Sequence, residues 1–327
     1  MTVAQNSIKQ YGHGMTHWAK VHSTGLKRAL TLVFFIAVIT LLIKNAGEIE
    51  WNKVFSTMRE TKLTTLIVGF GIGFLCYSAY AAYDLIGRHL LKLKTSALAT
   101  WLAAWISYAC NLNLGAVVGS VAFRYRLYSR LGVSSGDVTK ILGITVSSNW
   151  LGYFLLAGGL FASGAIDPPG NWIVGKIALQ GIGAVLLLIV AVYLGFCFFS
   201  KKREFQIRDH NITLPPGKIV VLQFAIACIH WTLMAATIYQ FMPDELSFPT
   251  VYAVLLVSCV AGALSHVPGG LGVLEAVFVA LLAGEVPKHQ LIAGVFAYRC
   301  IFYLVPLAIS LPVYIGYESY YRKSGNS

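Results

Sequence analysis

The sequence predicts an all-α polytopic membrane protein with six full transmembrane helices and two re-entrant hairpins arranged as inverted repeats. Three observations predict it. Hydrophobic residues make up 57% of the chain and charged residues only 12%, with a mean hydropathy of +0.69, whereas soluble domains carry roughly 25% charged residues. Six apolar runs are long enough to cross a hydrocarbon core, which takes about 20 helical residues. Two further apolar regions are too long, and too interrupted by glycine, asparagine or proline, to be single spans.

In chain order, residues 1–28 form a polar, cytoplasmic N-terminal segment ending in Lys27 and Arg28. The apolar run at about 29–46 follows. The stretch Lys44-Asn-Ala-Gly-Glu-Ile-Glu offers no small-x-small cleavage site, so the run reads as an uncleaved first helix rather than a signal peptide. Residues 47–62 place Trp51, Val54, Phe55 and Met58 on one helical stripe beside Glu48, Lys53, Arg59 and Lys62, the pattern of an interfacial helix. Further spans are expected at about 64–87, 138–163, 172–199, 218–241 and 289–317, with the interrupted regions at 96–130 and 250–285. A single membrane domain therefore covers 29–320, and 321–327 is a cytoplasmic tail. The longest polar connection, about 200–217, is too short to fold alone.

Charge sets the topology, because cytoplasmic loops are enriched in Lys and Arg. If 96–130 crossed the membrane once, Arg88–Lys94 and Arg124–Arg130 would lie on opposite faces. If both interrupted regions dip in and return, 18 of the 25 basic residues fall inside, 6 outside and Arg299 within the membrane. The order helix, dip, helix then occurs twice, at about 64–163 and 218–317, with the dips entering from opposite faces. A shift of about 151 residues puts Gly119 on Gly270 and Arg124 on Glu275. Inverted repeats with paired broken helices point to a central site in secondary transporters.

The net charge of +12 does not imply nucleic-acid binding, since it follows the inner loops. The six cysteines all lie in apolar runs without a CxxC pair, which marks them as small hydrophobes. No HExxH, phosphate-binding loop or close carboxylate cluster occurs. No metal or cofactor is expected, and the chain is not expected to be an enzyme.

The stretch from His266 to Glu275 carries the most information. Pro268, Gly269, Gly270 and Gly272 break a helix between apolar segments and an acid follows. Broken backbone at membrane depth must be buried in protein or line a wet cavity, and ionisable groups there usually mark a substrate path. Glu275 reads as a protonatable gate, a cation site or an arginine's partner, against a purely structural salt bridge. Arg299 costs at least about 2.5–3.5 kcal/mol if unpaired in the membrane, so a partner is expected, with Glu275 first in line. Phosphate binding is its functional reading and snorkelling to the outer surface its structural one. Asp84 pairs with Arg88 four residues on or faces the cavity as a charge-balancing site. Arg124 and Arg126 are inner-face anchors or a headgroup clamp, for which arginine's planar fork suits phosphate. Asn111, Asn113, Ser147, Ser148 and Asn149 are expected to bond between helices, and His230 and His266 to be structural.

Tyr83-Asp84, Arg124-Tyr-Arg-Leu-Tyr128, the Pro268–Glu275 stretch and Ala297-Tyr-Arg299 resemble the lysylphosphatidylglycerol synthase transmembrane family, in particular its stand-alone YbhN-type members of Gram-negative inner membranes. The likeness runs from about 27 to 320. It implies a flippase-like domain with two re-entrant hairpins in the bacterial inner membrane, both termini cytoplasmic. The functional polar positions it implies are Asp84, Glu275 and Arg299, with Arg124 and Arg126 as companions. Bifunctional members add a soluble acyltransferase domain after this one, and this sequence carries none, so anionic phospholipids such as phosphatidylglycerol or cardiolipin are the expected cargo. Partners implied are membrane phospholipids, with a lipid-synthesis enzyme or a second copy of the chain as protein partners. Two other readings stay open: a membrane-embedded enzyme on a lipid-linked substrate, and a non-transporting partner of a lipid-synthesis enzyme.

Overall fold

The computed structural model describes residues 50–164, 175–200, 204–207, 210–213, 215–265 and 267–324. The expected segments 1–28 and 29–46, His266 and residues 325–327 lie outside them.

The first described helix, α1 (Trp51–Glu60), is the expected amphipathic one. It does more than lie on a surface: Val54 is buried and Trp51 stacks on Phe296 at 6.3 Å, while Phe55 stays exposed. The long helix α2 (Leu63–Leu90) follows. Next come α3 (Ala97–Leu114), a π-helical segment (Ala116–Ala122) and α4 (Phe123–Arg130). The Ser96 side chain caps α3 by accepting from the Ala99 N–H at 3.1 Å, satisfying one of the donors that a helix start leaves free. Gly115, at φ +82°, ends α3 and reverses the chain, a conformation open mainly to glycine. The π segment and α4 then fold back along α3. Gly119 fits so tightly there that a Cβ would overlap the backbone of Cys110 and Asn111. Gly119→Ala is therefore expected to destabilise this hairpin by at least about 1–3 kcal/mol, the usual cost of overpacking, read as a fall in the detergent-solubilised melting midpoint.

Helices α5 (Ser135–Ala162) and α6 (Lys176–Phe199) come next. An antiparallel ladder, β1 (Glu204–Ile207) with β2 (His210–Thr213), joins them to α7 (Gly217–Tyr239). This small ladder is a local departure from the otherwise all-α fold. The second interrupted hairpin is α8 (Phe248–Ser265), a 3-10 turn (Pro268–Gly270) and α9 (Val273–Leu282). The chain ends with α10 (Lys288–Arg299), a π segment (Cys300–Leu304) and α11 (Val305–Ser324).

Among the described residues, six stretches are long and apolar enough to cross a membrane: α2, α5, α6, α7, α8 and Lys288–Ser319. Five match the expected spans. The sixth, α8, was expected only as one arm of a dip, and its 18 residues meet the length on their own. Ile177, Val185, Leu188 and Phe199 of α6 stay largely exposed, an apolar surface that water disfavours and lipid accepts. Helices α2 and α7 pack extensively against each other, and α5 approaches α7 where Gly152 faces Ala227. Such small residues let membrane helices pack backbone to backbone.

Candidate functional site

The two interrupted hairpins meet at their ends. The 3-10 turn sits against the last residues of α3, so close that a Cβ on Gly269 would lie 3.0 Å from the Leu112 carbonyl. Asn113 fastens this corner, donating to the Ala109 carbonyl at 2.8 Å and across to the Tyr303 carbonyl at 3.1 Å. Around this junction the fold buries two arginine–carboxylate pairs.

In the first, Asp84 of α2 and Arg124 of α4 are both fully buried. Arg124 donates from Nε to Asp84 Oδ2 at 3.0 Å and from Nη2 to Oδ1 at 3.2 Å. The remaining acceptor capacity of Asp84 is filled by the Tyr128 hydroxyl at 2.9 Å and the Thr145 hydroxyl at 2.8 Å. Arg124 Nη1 reaches Ser120 Oγ at 2.5 Å, and its guanidinium lies 5.6 Å from the Tyr80 ring centroid. One carboxylate thus ties together α2, α4 and α5, and through Arg124 the π segment. A buried ion pair needs such extra hydrogen bonds to offset desolvation.

In the second pair, Arg299 of α10 faces Glu275 of α9, each only a few per cent exposed. Arg299 Nε bonds Glu275 Oε1, and Nη2 bonds Oε2 at 3.1 Å. The same guanidinium donates to the Gly269 carbonyl at 2.9 Å and the Gly270 carbonyl at 2.7 Å. Gly269, Gly270 and Gly272 have φ of +65°, +56° and +78°, and that turn points two carbonyls at one arginine. Glu275 stands in the first turn of α9, where the helix dipole favours an anion. The Arg299 guanidinium lies 5.1 Å from the Tyr303 ring.

A column of rings runs from one pair to the other. Tyr80 stacks on Tyr108 at 3.8 Å, Tyr108 meets Tyr77 at 4.7 Å, and Tyr77 meets Phe302 at 5.3 Å. Phe302 stacks on Tyr298 at 5.0 Å, which meets Tyr303 at 5.7 Å. A continuous chain of ring contacts thus runs between the two sites.

The expected residues are thus sorted by the fold. Glu275, Arg299, Gly269 and Gly270 form one cluster, with Gly272 at its helix start and Pro268 opening the turn. Asp84 does not pair with Arg88: Arg88 Nε is taken by the Thr95 carbonyl at 2.5 Å, and Asp84 turns to Arg124 instead. Arg124 is fully buried, with its donors on Asp84 and Ser120. Arg126 is apart from both clusters and half exposed, and with Arg130 it holds Glu318 of α11. Sequence reasoning missed Ser120, Tyr128 and Thr145. The first two carried a signal, since they stand four residues either side of Arg124 and so on its helical face. Of the polar residues expected to bond between helices, Ser148 accepts from Gln223 at 2.8 Å and Asn113 donates to the Tyr303 carbonyl at 3.1 Å. Ser147 instead bonds back to the Ile144 carbonyl of its own helix, and Trp231 reaches the backbone carbonyl of Asn149, not its side chain. His230 lies among Tyr80, Tyr108 and Cys76 in the core.

Comparison with known proteins places this architecture. The family described as the lysylphosphatidylglycerol synthase TM region matches residues 28–310. The inner membrane protein YbhN of Escherichia coli (strain K12) is 40% identical over 298 residues, covering 91% of this chain and 94% of that protein. The phosphatidylglycerol lysyltransferases of Staphylococcus xylosus and Bacillus subtilis (strain 168) are 24% and 23% identical over 88% and 86% of this chain. The chain spans 33% of the length of each of those two.

Proposed function

The chain belongs to the lysylphosphatidylglycerol synthase transmembrane-region family, and from that membership we propose that it carries an anionic phospholipid between leaflets of the bacterial inner membrane. The observation that carries this reading is the pair of buried arginine–carboxylate sites, one on the return arm of each interrupted hairpin and joined where the hairpins meet. The names of two relatives supply the lipid class: they are phosphatidylglycerol lysyltransferases, and this chain matches a third of their length. Phosphatidylglycerol and cardiolipin are the proposed cargo.

A guanidinium offers a phosphate the same two-pronged donor set that it offers a carboxylate. A headgroup phosphate reaching Arg299 or Arg124 exchanges with Glu275 or Asp84. The displaced carboxylate is then left buried and charged, which is costly, and takes a proton or a cation. Arg299 and the turn Pro268–Gly272 hold the headgroup on one side of the junction, and Arg124 holds it on the other after Arg126 has met it at the surface. Acyl chains stay in the bilayer throughout.

Residues 64–163 and 218–317 are proposed as inverted repeats, their hairpins re-entrant and both chain termini cytoplasmic. Two features support this arrangement: the first long helices of the two units, α2 and α7, pack against each other, and each interrupted hairpin packs beside the long helix before it. Ser129 and Gly284, both exposed, report on it. In a cysteine-free background, Ser129→Cys is expected to label only from the inside and Gly284→Cys only from the outside. Labelling of Ser129→Cys from outside overturns the re-entrant arrangement. The function itself is tested in proteoliposomes: headgroup-labelled phosphatidylglycerol should lose its protection from an external quencher faster than in protein-free vesicles.

A further inference from the structure

Away from both buried pairs, the connections α2–α3 and α4–α5 enclose a cleft of about 600 Å³ whose lining includes Lys92, Lys94, Ser96, Arg130, Ser134 and Asp137. We propose that this cleft binds a phosphate-bearing anion, with the headgroup of an anionic membrane lipid as its occupant. The volume falls in the range of small-ligand sites, roughly 300–1,000 Å³.

Its charge is unbalanced. Three cations line it against one carboxylate, and Asp137 is already engaged by Lys140 at 3.0 Å and by the Ser134 hydroxyl at 2.8 Å. Lys92 and Lys94 are exposed, and neither ammonium has a carboxylate partner among the described residues. Arg130 spends Nε and Nη2 on Glu318, which leaves Nη1 for another acceptor. The starts of two long helices, α3 at Ala97 and α5 at Ser135, adjoin the lining residues Ser96 and Ser134 and add their positive ends. Lys92 is also the one non-glycine residue with positive φ, at 50°, among the described residues. That conformation closes the C-terminal cap of α2, the Lys92 N–H donating to the His89 carbonyl at 3.2 Å and the Leu93 N–H to the Arg88 carbonyl at 3.0 Å.

Two observations favour a lipid over a soluble phosphate. The cleft lies where two candidate spans, α2 and α5, leave the membrane. In the first turn of α3, beside the lining residues Ser96 and Ala99, Leu98 is 66% exposed, an apolar neighbour suited to an acyl chain. The site is independent of transport, since it is distinct from the residues proposed to move the headgroup.

The test is equilibrium binding to the purified full chain in detergent, with short-chain phosphatidylglycerol, short-chain phosphatidylcholine and inorganic phosphate as probes. The wild type should bind the phosphatidylglycerol more tightly than the other two. Lys92→Gln/Lys94→Gln should weaken that binding about tenfold or more, the worth of one charge-assisted hydrogen bond. Lys62→Gln, an exposed lysine at the opposite end of α2 and outside both the cleft and the transport site, should leave this binding unchanged, which shows that the loss is local to the cleft. Equally tight, lysine-dependent binding of inorganic phosphate would keep the phosphate chemistry and replace the lipid with a soluble anion, overturning the choice of occupant. Unchanged phosphatidylglycerol affinity in the double lysine variant would overturn the site.

Discussion

Asp84→Ala should lower the stability of the folded protein by about 3–5 kcal/mol, the cost of leaving one member of a buried pair without its partner. Arg124 has no exposed surface to retreat to, and its donors at 3.0 and 3.2 Å would face a void. Tyr128 and Thr145 would lose the same acceptor. The paired change Asp84→Leu/Arg124→Met removes both charges, and replacing a whole buried pair by apolar residues is often neutral or stabilising. Melting of the detergent-solubilised protein should therefore show a large fall for the single variant and a much smaller one for the pair. Equal falls would mean that the charges are not coupled. The pair should fold and still fail to transport, because both the proposed headgroup donor and its counter-ion are gone.

Arg299→Lys should reduce lipid translocation by about tenfold or more while keeping the positive charge. One planar guanidinium serves Glu275 and the carbonyls of Gly269 and Gly270 together. A lysine is a point charge on a flexible stem and cannot present that fork. It would satisfy Glu275 or the turn, and each charge-assisted bond lost costs about 1.5–3 kcal/mol. Transport comparable to wild type in Arg299→Lys would show that charge alone suffices there and would remove the bidentate exchange from the mechanism.

The second cluster was legible in the sequence and the first was only half so. An arginine in an apolar helix demands a partner, Glu275 was the acid directly following the Pro-Gly-Gly turn between apolar segments, and that turn had to be buried; the pairing followed. Asp84 and Arg124 are 40 residues apart, and a closer basic residue, Arg88, competed on the same helix. Only the return of α4 along α3, which carries Arg124 to Asp84, decides between them, and that return depends on Gly115 reversing the chain and Gly119 admitting it. Hydropathy located the spans because every long helix must be apolar over its whole length to sit in lipid. It could not anticipate the π segments at Ala116–Ala122 and Cys300–Leu304, which depend on tertiary packing rather than composition. Nor could it place α1 against α10, since an amphipathic stripe serves a membrane surface and a helix face equally well.

The central claim is that the chain moves anionic lipid through the Glu275–Arg299 site. The direct measurement is loss of lipid sidedness in proteoliposomes holding headgroup-labelled phosphatidylglycerol or cardiolipin, quenched from outside, with wild type beside Glu275→Gln. The amide of the variant can still accept from Arg299, so folding should persist while the titratable carboxylate is lost. Faster loss of protection in wild type, returning to the protein-free rate in Glu275→Gln, is the expected result. Protein-free rates for wild type, with a proton gradient imposed in either direction, would contradict translocation of these lipids by this chain.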